Sequence, residues 1–332
     1  MEPDSAHGSP ASELRASGSE AGYLPERLID QIDGTGPVLI CVGGLHGNEP
    51  GGMLALERVC RSLRKDPGAM TGTLVALRGN RPALMLGRRA VERDLNRVWS
   101  HQDLDRLSVQ GSEHDDGTDR ELRDLWQIML GWKASGRPLF LLDLHSTSGK
   151  GPPFAVVLGS DRSEALASRV GVPCVHGLNE SIRGTLAAWF ANELGASMVI
   201  EGGQSGQPET VRHLESAVYS GLAATGLLPE QDDRVRHSRQ ILAQASESLP
   251  THVRVFHREA TEDLGFAMGE ARTRRFQSFD FVRKGERLAQ NRLGPIEAPR
   301  DGYLIMPLYQ AQGSEGYFLA EPFADPAAAP RA

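Results

Sequence analysis

An α/β fold built on a parallel or mixed sheet, followed by a small β-domain, is the architecture this sequence predicts, and three observations carry it. From Val38 to Leu222 short apolar runs alternate with segments of helical period, the pattern of strands joined by crossover helices. After about residue 250 the helical period stops and short β-like runs take over, separated by turn signals. The length of 332 residues suits one large domain with a satellite, at about 150 residues per domain.

In chain order, residues 1–22 are rich in Ser, Ala, Gly and Glu without a hydrophobic period and read as a disordered tail, as do residues 325–332. Val38-Leu39-Ile40-Cys41-Val42 is a continuous apolar run of the kind a parallel sheet buries on both faces, ending in Gly43-Gly44. Met53 to Leu63 carries apolar residues at helical spacing, and Thr73-Leu74-Val75-Ala76-Leu77 is a second strand. The polar, acidic stretch His101 to Gly117 reads as a mobile loop. Thr118-Asp119-Arg120-Glu121 reads as a capping box opening a helix through Leu130. Leu139-Phe140-Leu141-Leu142 and Phe154-Ala155-Val156-Val157-Leu158 are the third and fourth strands, Ala187 to Leu194 is helical, Ser197-Met198-Val199-Ile200 is the fifth strand, and a helix follows from about Pro208 to Leu222. This α/β domain occupies residues 23–248. Residues 249–324, with β-like runs at Val253, Phe279 and Tyr303, form the small β-domain of roughly 75 residues.

The net charge of −7, from 36 Lys+Arg against 43 Asp+Glu, argues against a nucleic-acid partner, which requires a basic face. No apolar run reaches the 18 residues of a membrane span. The N-terminus lacks the basic and apolar regions of a secretory signal. The three cysteines, Cys41, Cys60 and Cys174, offer no disulfide framework and fit a reducing, cytoplasmic setting. Any bound metal must therefore be held by histidines and carboxylates.

Ligands of open α/β sheets bind at the carboxyl ends of the strands. The first strand ends in Gly43-Gly44-Leu45-His46-Gly47-Asn48-Glu49, the third in Asp143-Leu144-His145, and the fifth in Glu201-Gly202-Gly203. The second leads to Arg88-Arg89 and to Asp94-Leu95-Asn96-Arg97. His46 and Glu49, three residues apart in a tight turn, can reach one point, and with His145 they make a His₂Glu set, the composition of a catalytic zinc site with an open fourth position. Zinc brings the pKa of its water towards about 7, and Glu201 is placed to serve as general base and then as acid. The glycines after Glu201 permit close approach of backbone or substrate. A strand-end histidine taken singly is more often a hydrogen-bonded structural residue, and Glu49 alone could be a helix-start acid. What favours a metal is that four such residues share one sheet edge. A phosphate cradle is the weaker alternative, because no Gly-x-Gly-x-x-Gly and no Gly-Lys-Ser/Thr is present. Of the other histidines, only His176 follows a β-like piece and is a further candidate to line the site.

The four motifs together, in order and approximate spacing, resemble the succinylglutamate desuccinylase/aspartoacylase family of zinc-dependent amidohydrolases, over roughly residues 35–325. The resemblance implies a carboxypeptidase-A-like mixed sheet flanked by helices, with a C-terminal β-domain capping the site. It implies one Zn²⁺ per chain on His46, Glu49 and His145, Glu201 as general acid/base, and Arg89, five residues before Asp94, as the arginine that polarises the scissile carbonyl. Asn96 and Arg97 match the pair that holds a substrate carboxylate, and Asp143 matches a carboxylate orienting a metal-bound imidazole. Tyr317, in Ser314-Glu-Gly-Tyr-Phe, resembles a substrate-contacting tyrosine, with Tyr309 as the alternative.

One position departs from the pattern. Relatives that cleave N-acetylaspartate carry a further arginine about ten residues before the base, where this chain has Ala191, and the nearest upstream arginine is Arg183. The expected activity is therefore hydrolysis of a small anionic N-acyl amino acid or related amide, with no nucleic-acid or membrane partner and with homo-oligomers left open. A carboxypeptidase acting on peptide C-termini and a catalytically silent metal-binding protein are the competing readings. A capping β-domain would narrow the mouth against peptides, and the complete ligand set argues against silence.

Overall fold

The computed structural model describes residues 26–66, 70–261, 265–269, 275–310, 313 and 315–324. Both expected tails, residues 1–22 and 325–332, lie outside the described residues. The chain runs β1 (Leu28–Ile32), β2 (Val38–Gly43), α1 (Gly51–Lys65), β3 (Thr73–Arg78), α2 (Arg81–Leu86), a 3₁₀ turn (Leu95–Arg97), α3 (His101–Val109), α4 (Gly117–Lys133), β4 (Leu139–Thr147) and β5 (Phe154–Val157). It continues through α5 (Asp161–Val170), β6 (Cys174–His176), α6 (Leu178–Ser181), α7 (Leu186–Glu193), β7 (Ala196–Gln204), α8 (Pro208–Ala224) and α9 (Asp233–Ala245). The terminal strands are β8 (His252–Ala260), β9 (Ala267–Met268), β10 (Asp280–Val282), β11 (Arg287–Asn291), β12 (Gly294–Glu297), β13 (Gly302–Ile305) and β14 (Glu315–Pro322).

Eleven strands form one mixed sheet in the order β1-β3-β2-β4-β7-β5-β6-β8-β14-β13-β10. β3, β2, β4 and β7 are parallel neighbours, and β5 lies antiparallel to β7. β2 is buried along its whole length, and its side chains alternate between two cores as the pleat requires. Leu39 and Cys41 pack with α1, α5, α8 and α9. Val38, Ile40 and Val42 pack with α3, α4 and α7. The mixed sheet between helical layers is the architecture expected, and no helix among the described residues is long and apolar enough to cross a membrane.

The terminal strands extend this sheet, because β8 pairs in parallel with β6. Val253, Ile305 and Phe318 join the core of the α/β body, while Val282, Leu288, Tyr317 and Leu319 form a smaller core of their own. β9, β11 and β12 make a separate three-stranded sheet.

Two local expectations are corrected. The stretch from His101 is not a loop: Ser100 caps α3 by accepting from Asp103 N, and α3 buries Leu104 and Leu107. Several of its acidic residues form ion pairs: Asp115 is buried against Arg123 at 2.6 Å, and Asp103 and Asp116 face Arg93. The cap of α4 is Asp116, which accepts from Asp119 N, two residues before the expected box. Thr118 instead donates to Arg93 O, and Glu121 is held by Arg27 at 2.8 Å.

Candidate active site

The buried strand β2 delivers the chain to the sheet edge at Gly44, whose φ of +79° is in the region favoured by glycine. A tight turn follows in which Glu49 N donates to His46 O at 3.0 Å. Gly47 packs so closely on α2 that a Cβ there would sit 2.0 Å from the Ala83 carbonyl carbon. The turn brings His46 Nδ1 within 2.9 Å of Glu49 Oε1. From the end of β4, His145 Nδ1 reaches Glu49 Oε2 at 3.0 Å, and Ser146 N donates to the same oxygen. The Glu49 carboxylate thus joins two imidazoles, and one ligand atom from each of the three residues lies within 4.8 Å of the others.

Each imidazole turns its other nitrogen to a carboxylate. His46 Nε2 lies 3.2 Å from Asp94 Oδ1, and His145 Nε2 lies 3.1 Å from Asp143 Oδ1. Asp143 is fully buried, and neither of its oxygens has an aligned hydrogen-bond partner. Its approach to His145 is therefore close without being aligned as a hydrogen bond. Two Nδ1 atoms and a carboxylate facing one point, each ring backed by an acid, make a donor set that fits a borderline divalent cation such as zinc.

Glu201 stands beside this cluster. β4 and β7 run in register from Phe140↔Ala196 to His145↔Glu201, after which a bulge shifts the pairing to Thr147↔Gln204. The extra residue falls at Gly202-Gly203, and Gly203 has φ +122°. These glycines are the bulge that ends the regular pairing just past Glu201. Glu201 is 6% exposed and its Oε2 has no hydrogen-bond partner. Burial pushes its carboxyl up to about 7, although the neighbouring His145 charge opposes this. Glu49 behaves oppositely: burial opposes ionisation, but the His46 charge and hydrogen bonds from both histidines hold it well below the usual range. For His145, burial favours the neutral ring, but the Asp143 charge, with Glu49, raises it well above the ordinary histidine value.

His46, Glu49, Arg89, Asn96, Arg97, His145 and Glu201 line one pocket. Of the adjacent arginines, Arg88 is exposed, whereas Arg89 donates from Nε and Nη2 to Asp94 Oδ2 and places Nη1 3.8 Å from Glu49 Oε1. Asn96 accepts from Leu186 N and sits 3.3 Å from His145 Nε2. Arg97 donates to Asn96 O and approaches Glu315 Oε2 at 3.6 Å. Apolar side chains also line it, including Val156, Leu158, Leu178, Ile182, Val199 and Met306, and Leu308, Gln310 and Glu315 complete the lining.

The structure does not bring Tyr317 to this pocket. Its side chain is wholly buried in the terminal core, near Phe266 and His257. A register shift between Glu315 and Tyr317 breaks the strand alternation that would put both on one face, so Glu315 is the residue that lines the pocket. Tyr309 is no substitute, since its hydroxyl donates to Phe276 O. Arg183 is exposed and Ala191 packs on the core, and the arginines among the described pocket residues are Arg89 and Arg97. His176 lies outside the pocket. The sequence reading missed the support of His46 by Asp94 and the place of Glu315. Asp94 stood in a quoted motif, but its contact with a residue 48 positions away leaves no mark on spacing.

Comparison with known proteins agrees with this geometry. Residues 35–224 match the family model described as the succinylglutamate desuccinylase/aspartoacylase catalytic domain. An N-acyl-aromatic-L-amino acid amidohydrolase (carboxylate-forming) of Xenopus tropicalis is 33% identical over 141 residues, 41% of this chain and 43% of the relative. A probable aspartoacylase of Acaryochloris marina is 34% identical over 112 residues, 33% of this chain and 35% of that protein. The matches thus span less than half of these relatives. Among solved structures, the succinylglutamate desuccinylase/aspartoacylase from Rhodobacter sphaeroides superposes with a TM-score of 0.63 at 20% identity, covering 89% of this chain and 87% of that one. The succinylglutamate desuccinylase from Vibrio parahaemolyticus gives 0.60 at 16% identity, covering 86% and 81%. At such identities the likeness is one of fold.

Proposed function

The chain belongs to the succinylglutamate desuccinylase/aspartoacylase family, and from that premise we propose that it is a zinc-dependent amidohydrolase cleaving the amide bond of a small carboxylate-bearing N-acyl amino acid. The observation that carries the proposal is the convergence of His46, Glu49 and His145 within 4.8 Å beside a buried, half-unpartnered Glu201. Zinc held by these three residues would supply the Lewis acidity that makes water a usable nucleophile near neutral pH.

The chain's own groups do the remaining work in this reading. Glu201, with a carboxyl poised at about 7, takes the proton of the attacking water and passes it to the departing amine. Arg89, fixed by Asp94 on two nitrogens, keeps Nη1 turned towards Glu49 and donates to the oxyanion that develops from the scissile carbonyl. Arg97 takes the substrate carboxylate with its planar fork, Asn96 bounding the same corner. Asp143 holds the ring of His145. The terminal unit, residues 249–324, acts as the cap of the α/β body, residues 23–248, because Met306, Leu308 and Glu315 enclose the pocket from that side.

The apolar lining and the missing third arginine favour an apolar side chain or acyl group over the acidic side chain of N-acetylaspartate. The name of the Xenopus relative, an amidohydrolase of N-acyl-aromatic amino acids, points the same way. The test is an N-acyl amino acid panel with zinc-loaded protein. Apolar N-acyl amino acids should be hydrolysed in preference to N-acetylaspartate and N-succinylglutamate, and Glu201→Gln should abolish turnover. Undiminished turnover in that variant, or full activity in chelator, would refute the reading.

A further inference from the structure

A second cluster of two histidines and a glutamate lies outside the pocket, and none of its members lines it. Glu164 on α5, His176 on β6 and His252 on β8 each offer a ligand atom within 4.8 Å of the others. His176 Nε2 is 3.1 Å from His252 Nδ1, with the rings stacked at 5.4 Å between centroids. His176 Nδ1 is 3.6 Å from Glu164 Oε2. Both histidines are buried, and the Glu164 side chain is only 13% exposed, with Oε1 buried. Phe323 covers the opposite side of the His176 ring at 4.9 Å, and Arg254 stacks on Phe323 at 3.8 Å, which occupies the nearby guanidinium with an aromatic face.

We propose that Glu164, His176 and His252 form a second divalent-metal site, of the zinc type, whose role is structural. Zinc bonds of about 2.0–2.2 Å around a tetrahedral centre set donors roughly 3.3 Å apart. The two facing imidazole nitrogens already stand at about that separation, and the Glu164 carboxylate lies within 4.8 Å of a ligand atom of each histidine, so binding requires it to close the remaining distance. A hydrogen-bonded relay would use the same contacts, since Glu164 faces His176 Nδ1 while His252 faces Nε2; what favours a metal is that one ligand atom from each of the three residues lies within 4.8 Å of the others. The three ligands come from three segments: a helix of the α/β body, the three-residue strand β6, and the first strand of the terminal unit. β6 and β8 share only the pairs Cys174↔His252, Val175↔Val253 and His176↔Arg254. A metal here pins that short seam, through which the cap joins the sheet.

The inference is independent of the reading of the active site, and the experiment separates them. The untagged full-length chain is stripped with chelator, reloaded with zinc and desalted, and zinc per chain is counted. Wild type is expected to retain two equivalents. Glu164→Gln and His252→Gln should each retain one and keep their activity, His46→Gln should retain one without activity, and His46→Gln/Glu164→Gln should retain none. Zinc should raise the melting temperature of His46→Gln but not of the double variant. Glu164→Gln alters a partly exposed helix residue, and melting in chelator verifies its fold. One equivalent in wild type, lost in His46→Gln, overturns the second site. So does equal zinc in His46→Gln and the double variant. A single equivalent lost in Glu164→Gln but kept in His46→Gln upholds the second site and refutes the active-site reading.

Discussion

His145 on β4 and Glu201 on β7 are direct register partners in a parallel pair, the last regular pair before the bulge at Gly202-Gly203. Equal register puts both side chains on the same face of the sheet, and Glu49 reaches that face from the turn after β2. A potential ligand and a potential base are thus fixed by backbone pairing rather than by loop conformation.

Burying Glu201 carries a stability cost that pH exposes. In the metal-free chain its carboxyl is raised to about 7 from an unfolded value of about 4.3. The neutral form suits the fold, so its contribution is intact below about pH 4.3, is lost as pH climbs to about 7, and then levels off. Glu201→Gln has no such loss. In chelator it should match wild type near pH 4 and be more stable by about 3 kcal/mol above pH 8, while hydrolysing nothing. Urea melts at the two pH values are the measurement, and equal stability at both would contradict the assignment.

Asp94 should matter to metal retention although it is not itself one of the three proposed ligands. Burial opposes its ionisation, but hydrogen bonding and charge from His46, with Arg89 and Arg97, hold the carboxyl far below the usual range. It therefore presents a permanent negative charge to His46 Nε2. Asp94→Asn is expected to weaken zinc binding about 10- to 100-fold, as is Asp143→Asn behind His145. Competition with a chromophoric chelator reads this directly, and unchanged affinity in both variants would mean that neither acid orients its ring.

The candidate ligands were legible in the sequence, as was Asp143 through the family resemblance, whereas the roles of Asp94 and Glu315 were not. His46, Glu49, His145 and Glu201 lie at or just after the carboxyl ends of strongly apolar strands, so strand position, together with the family motifs, placed them on one edge. Asp94 and Glu315 act through contacts between distant segments, which no local period encodes. Tyr317 failed for a local reason: it lies on β14, a strand the pattern did not mark, and a register shift there separates its side chain from that of Glu315. The stretch after Ser100 failed because its charges looked solvated, whereas Asp115 and Asp119 are buried in ion pairs with Arg123, Arg93 and Arg106.

Metal binding should release protons. In the metal-free chain the His145 ring is raised well above the ordinary histidine value, against the opposing effect of burial, by the Asp143 charge and by Glu49. A metal requires the neutral ring, so cation and proton compete for it. Zinc affinity should fall as pH is lowered from 8 to 6. Calorimetric titrations in buffers of different ionisation enthalpy should show net proton release, and heats independent of the buffer would show that His145 is already neutral.

If Arg97 binds the substrate carboxylate as proposed, Glu315 should compete with substrate for it. The guanidinium stands 3.6 Å from the Glu315 carboxylate, which also meets Arg258 at 3.7 Å, so an arriving substrate carboxylate must share or displace this partner. Removing the charge in Glu315→Gln should lower KM for anionic N-acyl amino acids while leaving kcat nearly unchanged, because the residue meets Arg97 and Arg258 rather than Glu201. Arg97→Ala should raise KM by about 10- to 100-fold, the range expected for losing a charge-assisted hydrogen bond. If Glu315 instead serves to hold Arg97 in the posture that binds substrate, Glu315→Gln will raise KM as Arg97→Ala does. The sign of that one change therefore decides between competitor and support.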